Sequence, residues 1–242
     1  MHIIAVSNRK GGTGKTTVSV NLAAELAHAG HKTLLIDLDS QGHCAIALGL
    51  KYTAGEPNVH QLFTHPQTRL SQSIRPTAFD NLWRTPADTR FDHGLCERNE
   101  YRLRDAIESE GLAERFDLII IDTPPSLDIL LINALMAANR VLVPYVPHHI
   151  SVESMRQLVR LLFKIMTRQN RNLKILGFLP TLSAEHIRLH RTVNGQVGNE
   201  FGAARILPGI RNDIRLAESL AAGKPIRYYA PKSRSAQDFT QL

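Results

Sequence analysis

Arg9-Lys10-Gly11-Gly12-Thr13-Gly14-Lys15-Thr16-Thr17 decides how this chain is read. It comes directly after an apolar run, His2–Ser7 (HIIAVS). It opens a stretch in which Val18, Leu22, Leu26 and Ala29 recur at helical spacing until Gly30, where a helix would end. Strand, glycine loop and helix in that order form a phosphate cradle. Gly11, Gly12 and Gly14 let backbone N–H groups close around phosphate oxygens, where a side chain would clash or forbid the dihedrals. The helix turns the positive end of its dipole to the same anion. Lys15 is placed to reach the outer phosphates and the Thr16 hydroxyl to ligate Mg²⁺, so residues 10–17, Thr13 and Thr17 included, make the nucleotide-binding stretch.

Working outward, Thr33–Ile36, Leu118–Ile121, Arg140–Val146 and Lys174–Leu179 are continuous apolar runs, as strands buried on both faces require. Helical spacing marks Tyr101–Ala113, Leu127–Ala138, Ser151–Thr167, Ile187–Phe201 and Asp213–Ala222. The alternation predicts an α/β fold: a doubly wound, mostly parallel sheet flanked by helices in three α/β/α layers. With no repeat or Gly/Ser linker, one domain over residues 1–242 is expected. Lys51–Asn99 is the least regular part and reads as an insertion of short elements.

Two further segments bring carboxylates to the sheet edge where such folds bind ligands. Leu34–Gly42 (LLIDLDSQG) ends an apolar run in Asp37 and Asp39, which, two apart on a strand, would face one side. Phe116–Pro125 (FDLIIIDTPP) has the form of a Walker B strand, whose Asp122 would hold Mg²⁺ through water.

The strict loop pattern G-x-x-x-x-G-K-[ST] fails, because its first glycine falls on Arg9. The chain reads K-G-G-T-G-K-T-T, with an additional lysine at position 10. In this it resembles the ParA/MinD family of deviant Walker A ATPases, members of the P-loop NTPases. The resemblance continues through Ser126–Ala138, Val141–Pro144 and Asn212–Lys232, the last similar to the family's closing segment beside the adenine. It implies ATP and Mg²⁺ as cofactors and a sandwich homodimer in the ATP state. Lys10 would cross to the partner subunit's nucleotide, like an arginine finger. Residues 37–41 resemble the family's D-x-D-P-Q switch with Ser40 for proline, which gives Asp39 the attacking water and Asp37 a place in the Mg²⁺ shell beside Thr16 and Asp122. Lys10, Lys15 and Asp39 are thus the expected catalytic residues. Val146-Pro147-His148-His149 departs from the family, where many members place Gln and Glu.

Of 242 residues, 43% are hydrophobic and 21% charged, which excludes disordered and fibrous classes. The net charge of +7 is uneven: residues 126–242 hold 16 Lys+Arg against 7 Asp+Glu, while residues 1–125 hold 13 against 15. A polyanion-facing surface and a merely soluble one both fit this. By resemblance, Arg191 and Arg211 match arginines that ParA-like proteins set against DNA phosphates, and Arg215 and Lys224 extend the basic set. Cys44 and Cys96 make neither a disulfide framework nor a four-thiolate centre, so a reducing cytoplasm is expected. No run approaches the roughly 18 apolar residues of a membrane span, and the N-terminus reaches glycine too soon for a secretion signal. After Pro231 only Ala236, Phe239 and Leu242 form a thin apolar stripe, too little for a membrane anchor. His186 and His190, with no third ligand, read as surface histidines, and the adjacent His148 and His149 would point apart.

The expectation is a cytoplasmic, nucleoid-associated ParA-like ATPase, hydrolysing slowly until stimulated by a ParB-like or cargo-bound partner. It would bind DNA nonspecifically and position a plasmid, chromosome or other cargo. A MinD-like membrane-associated positioning ATPase and a metabolic P-loop kinase or synthase stand as alternatives.

Overall fold

Each continuous apolar run forms a strand. In the computed structural model, which describes residues 1–50 and 55–242, the strands are β1 (His2–Val6), β2 (Thr33–Asp37), β3 (Arg75–Pro76), β4 (Leu82–Thr85), β5 (Leu118–Asp122), β6 (Arg140–Tyr145) and β7 (Lys174–Pro180). Among the described residues they make one seven-stranded sheet ordered β3-β4-β2-β5-β1-β6-β7. Every pairing is parallel except β3 with β4. The helices are α1 (Lys15–His28), α2 (His43–Ala47), α3 (Gln61–Thr64), α4 (Arg102–Ser109), α5 (Leu112–Arg115), α6 (Ile129–Ala137), α7 (His149–Arg168), α8 (Arg188–Phe201), α9 (Ile214–Ala221), α10 (Ile226–Tyr229) and α11 (Arg234–Thr240).

Alternate residues along the central strands feed two separate cores. Ile3, Ala5, Leu34, Ile36, Ile119 and Ile121 pack with α4, α6, α7 and α8. Ile4, Val6, Leu35 and Ile120 pack with α1, α2, α9, α10 and α11. Both faces of the sheet are therefore dry, which is why its strands read as unbroken apolar runs. The expected three layers are present.

Several boundaries move for local reasons. The helix expected over Tyr101–Ala113 breaks into α4 and α5 because Gly111 takes φ 61°. α6 starts at Ile129, since Asp128 caps it by accepting hydrogen bonds from the Leu130 and Leu131 N–H groups. α7 starts two residues before Ser151. The irregular stretch 51–99 consists of short elements, but β3 and β4 among them extend the sheet, and its residues 51–54 lie outside the described residues. β2 ends at Asp37, so Asp39 lies past the strand and does not share its face.

Two of the three residues of the C-terminal stripe are buried. Ala236 and Phe239 are each 1% exposed in the second core. α11 is held down by an Arg211–Asp238 pair at 2.7 Å, and α10 by Arg227–Glu25 at 2.6 Å. Among the described residues no helix is long and apolar enough to cross a membrane.

Candidate nucleotide and cation site

Sheet register assembles the site. Asp122, the last residue of β5, is the Cα partner of Val6 on β1 and of Asp37 on β2. The glycine loop leaves β1 at this point and is pinned on both sides. Asn8, 1% exposed, donates through Nδ2 to the Pro144 carbonyl at 2.8 Å and accepts from the Lys10 N–H at 3.0 Å. Thr181 donates to the Thr13 carbonyl at 3.0 Å. Gly14 caps α1 at φ 79°, a conformation open at little cost only to glycine. Sequence reading found the loop but missed Asn8 and Thr181. A polar residue just after an apolar strand is the only signal either one offers.

Asp122 is the hub. Its Oδ2 accepts from the Thr16 hydroxyl at 2.7 Å and its Oδ1 from the Ser19 hydroxyl at 2.8 Å. The Cys44 thiol lies 3.5 Å from the same Oδ2. Asp37 accepts from the N–H groups of Asp39 (3.2 Å) and Cys44 (3.3 Å). Asp39 is partly exposed and accepts from the Gln41 N–H at 3.0 Å, so its carboxylate stands at the open end of the site. Burial, followed by repulsion from Asp122 and Asp39, pushes the Asp37 carboxyl well up. Burial also raises Asp122, against the hydroxyls of Thr16 and Ser19 and the charge of Lys15. Lys15 is lowered by burial, although Asp122 and Asp39 favour its charge. Two carboxylates, each at most 2% exposed, beside one buried ammonium group are short of positive charge. With the Thr16 hydroxyl they form the oxygen donor set that a hard divalent cation takes. The residues fit the expected Mg²⁺, and Ser19 and Cys44 stand unforeseen beside Asp122.

Next to the loop, a cleft of about 340 Å³ is lined by Gly12, Gly14, Val18, Asn212, Leu216 and Phe239, among others. Its walls are mainly apolar, and residues 212–220, from the segment expected beside the adenine, supply one side. Ser183 pairs with Arg211 ahead of α8 and α9, whose first turns carry the exposed Arg191 and Arg215. Arg211 is partly committed, its guanidinium gripping Asp238. Lys224, beyond the far end of α9, sits apart in a pocket with His28 and Phe79. His190 is not a surface residue: it is 8% exposed, and its Nδ1 accepts from the Ala184 N–H. His186 lies outside α8.

Residues 1–175 match a family model described as an AAA domain. The chain is 31% identical to the chromosome partitioning protein ParA of Caulobacter vibrioides, over 100% of this chain and 92% of that one. It is 35% identical to the sporulation initiation inhibitor protein Soj of Bacillus subtilis, over 99% and 96%. The structure superposes on the septum site-determining protein MinD with Mg-ADP from Pyrococcus horikoshii at a TM-score of 0.82 and 25% identity, over 99% and 93%. A glycine loop with Lys10 added, joined through Thr16 to a Walker B Asp122 and matched end to end by these relatives, makes this chain a member of the ParA/MinD family of deviant Walker A P-loop ATPases.

Proposed function

We propose that residues 1–242 act as one unit, a Mg²⁺-dependent ParA-like ATPase that closes as a homodimer around ATP, binds DNA without sequence preference and positions a cargo. The Thr16–Asp122 hydrogen bond carries the ATPase reading, since it brings the start of α1 and the Walker B carboxylate to one point. The loop N–H groups and Lys15 hold the triphosphate, with the base in the neighbouring apolar cleft. Thr16, Asp37 and Asp122 would hold Mg²⁺, which when bound neutralises charge on the outer phosphates. Asp39 at the open end orients the attacking water. Lys10 reaches the nucleotide held by the partner subunit, so full charge neutralisation waits for dimerisation and hydrolysis is slow in its absence.

The DNA half of the reading rests on the basic 126–242 segment and on Arg191 and Arg215 standing exposed in the first turns of α8 and α9. Phosphate contacts of this kind position a protein without reading sequence. The protein would thus be nucleoid-associated, and a ParB-like or cargo-bound partner would trigger release. Retention on DNA is the test, compared with ATP, with ADP and without nucleotide. Retention with ATP alone is expected. ATP-dependent sedimentation with liposomes and none on DNA would overturn the reading in favour of a membrane-bound oscillator.

A further inference from the structure

Cys44 follows the switch segment directly, and the ATPase reading has no use for it. We propose that Asp37, Cys44 and Asp122 form a mixed thiolate–carboxylate site that binds a thiophilic divalent cation of the Zn²⁺ kind, in competition with Mg²⁺. All three side chains are buried, and one ligand atom from each lies within 4.8 Å of the others. The Cys44 Sγ to Asp122 Oδ2 separation is 3.5 Å. A tetrahedral zinc ion with ordinary Zn–S and Zn–O bonds holds sulfur and oxygen about 3.5 Å apart. The protein therefore already sets one edge of that tetrahedron.

The chemistry separates the two ions. Mg²⁺ demands oxygen ligands in an octahedron and keeps several waters, so it gains nothing from the sulfur. Zn²⁺ prefers thiolate and accepts three protein ligands with a fourth position open. On binding, the Cys44 S–H bond breaks, its proton leaves to solvent and a metal–sulfur bond forms; nothing is oxidised or reduced. α2 fixes the thiol in place, since the Cys44 N–H donates to Asp37. A cleft of about 290 Å³ lies next to the site, lined by Thr16, whose hydroxyl bonds Asp122, and by Thr17, His43 and Ile46. Because Asp37 and Asp122 serve both ions, occupancy by Zn²⁺ excludes Mg²⁺. Only this competition rests on the Mg²⁺ role proposed above; thiophilic binding does not.

Co²⁺ titration of the nucleotide-free protein tests the site. The wild type and Cys96→Ala should show a thiolate-to-cobalt charge-transfer band saturating at one ion per chain and bleached by Zn²⁺. Cys44→Ala should lack the band, and so should Cys44→Ser, which keeps the volume and guards against misfolding, each checked for its fold by circular dichroism. Calorimetry should find Zn²⁺ binding to Cys44→Ser weakened by more than the roughly tenfold that loss of even an outer partner costs. Absence of the band in the wild type, or its persistence without Cys44, would overturn the proposal. Mg·ADP binding, measured separately on the same variants, reports on the ATPase reading alone.

Discussion

Lys15 and Lys10 stand five residues apart in one loop, yet only Lys15 is buried. Lys15 faces Asp122 and Asp39 inside the site, so Lys15→Ala should abolish nucleotide binding, as read by a fluorescent ADP analogue. Lys10 is partly exposed, and its backbone N–H is already fixed by Asn8. Lys10→Ala should therefore retain ATP affinity while losing ATP-dependent dimerisation or partner-stimulated hydrolysis; a fully active variant would rule out action across the dimer. A second residue-scale effect concerns acid stability. His60 is buried beneath the switch segment, accepting from the Asp88 N–H through Nδ1 and directing Nε2 at the Leu38 carbonyl. Burial lowers its pKa to about 4, against about 6.5 when unfolded. A neutral folded imidazole contributes stability that is complete above pH 6.5 and lost as pH falls towards 4, by up to about 3 kcal/mol. The raised carboxyls of Asp37 and Asp122 act with the opposite sign, and they are common to wild type and variant. Urea unfolding at pH 7 and pH 4.5 should show the wild type losing more stability than His60→Gln, and equal losses would assign the acid sensitivity elsewhere.

At the scale of elements, the switch and the base-binding wall meet at a backbone seam. α2 follows the Asp37–Gly42 segment and gives way to Gly49 two residues past its end; α9 lines the cleft beside the glycine loop and gives way to Gly223 in the same manner. A Cβ built on Gly223, at φ +66°, would lie 2.4 Å from the Gly49 Cα. Gly223→Ala must push α2 from α9, at a cost of about 1–3 kcal/mol for overpacking. Calorimetric unfolding should show that loss and ADP titration a weaker affinity, because the displaced helices border both sides of the nucleotide site. A wild-type Tm would mean the two helices are free to part. The seam also illustrates what sequence could not disclose. Loop, Walker B strand and paired carboxylates were legible because each joins a fixed spacing to an apolar run, and long buried strands announce themselves by composition. Gly49 and Gly223 are ordinary helix-end glycines until the fold brings them together. Ser19 and Cys44 likewise read as helix filler, since their meaning comes from Asp122 on a strand 103 and 78 residues away. β4, four residues long with Arg84 inside it, lacked the apolar run that exposed the other strands.

For the whole molecule, the basic charge matters through where it is left unneutralised. Arg227 is tied to Glu25, Arg156 to Glu153 and Glu200, and Arg211 to Asp238, so these positions contribute packing as much as field. Arg191 and Arg215 remain exposed in the first turns of α8 and α9. Binding to phosphate backbones releases counterions, and log K falls with log salt at a slope of about −0.9 for each phosphate neutralised. In a two-fold dimer every residue acts twice. Arg191→Ala or Arg215→Ala should therefore reduce the ATP-state slope by nearly 1.8, about twice the change expected for a monomer. Arg211→Ala should move the slope less, since Asp238 already offsets its charge, and should instead lower Tm by freeing α11 from its anchor. Lys224→Ala, beyond the far end of α9, should move it least if the DNA face is the one that carries Arg191 and Arg215. DNA retention measured over a salt series with ATP, for the wild type and these four variants, ranks them directly. An unchanged slope in Arg191→Ala and Arg215→Ala together would put the DNA on another face, and a change of only about 0.9 for each would mean that the protein binds DNA as a monomer.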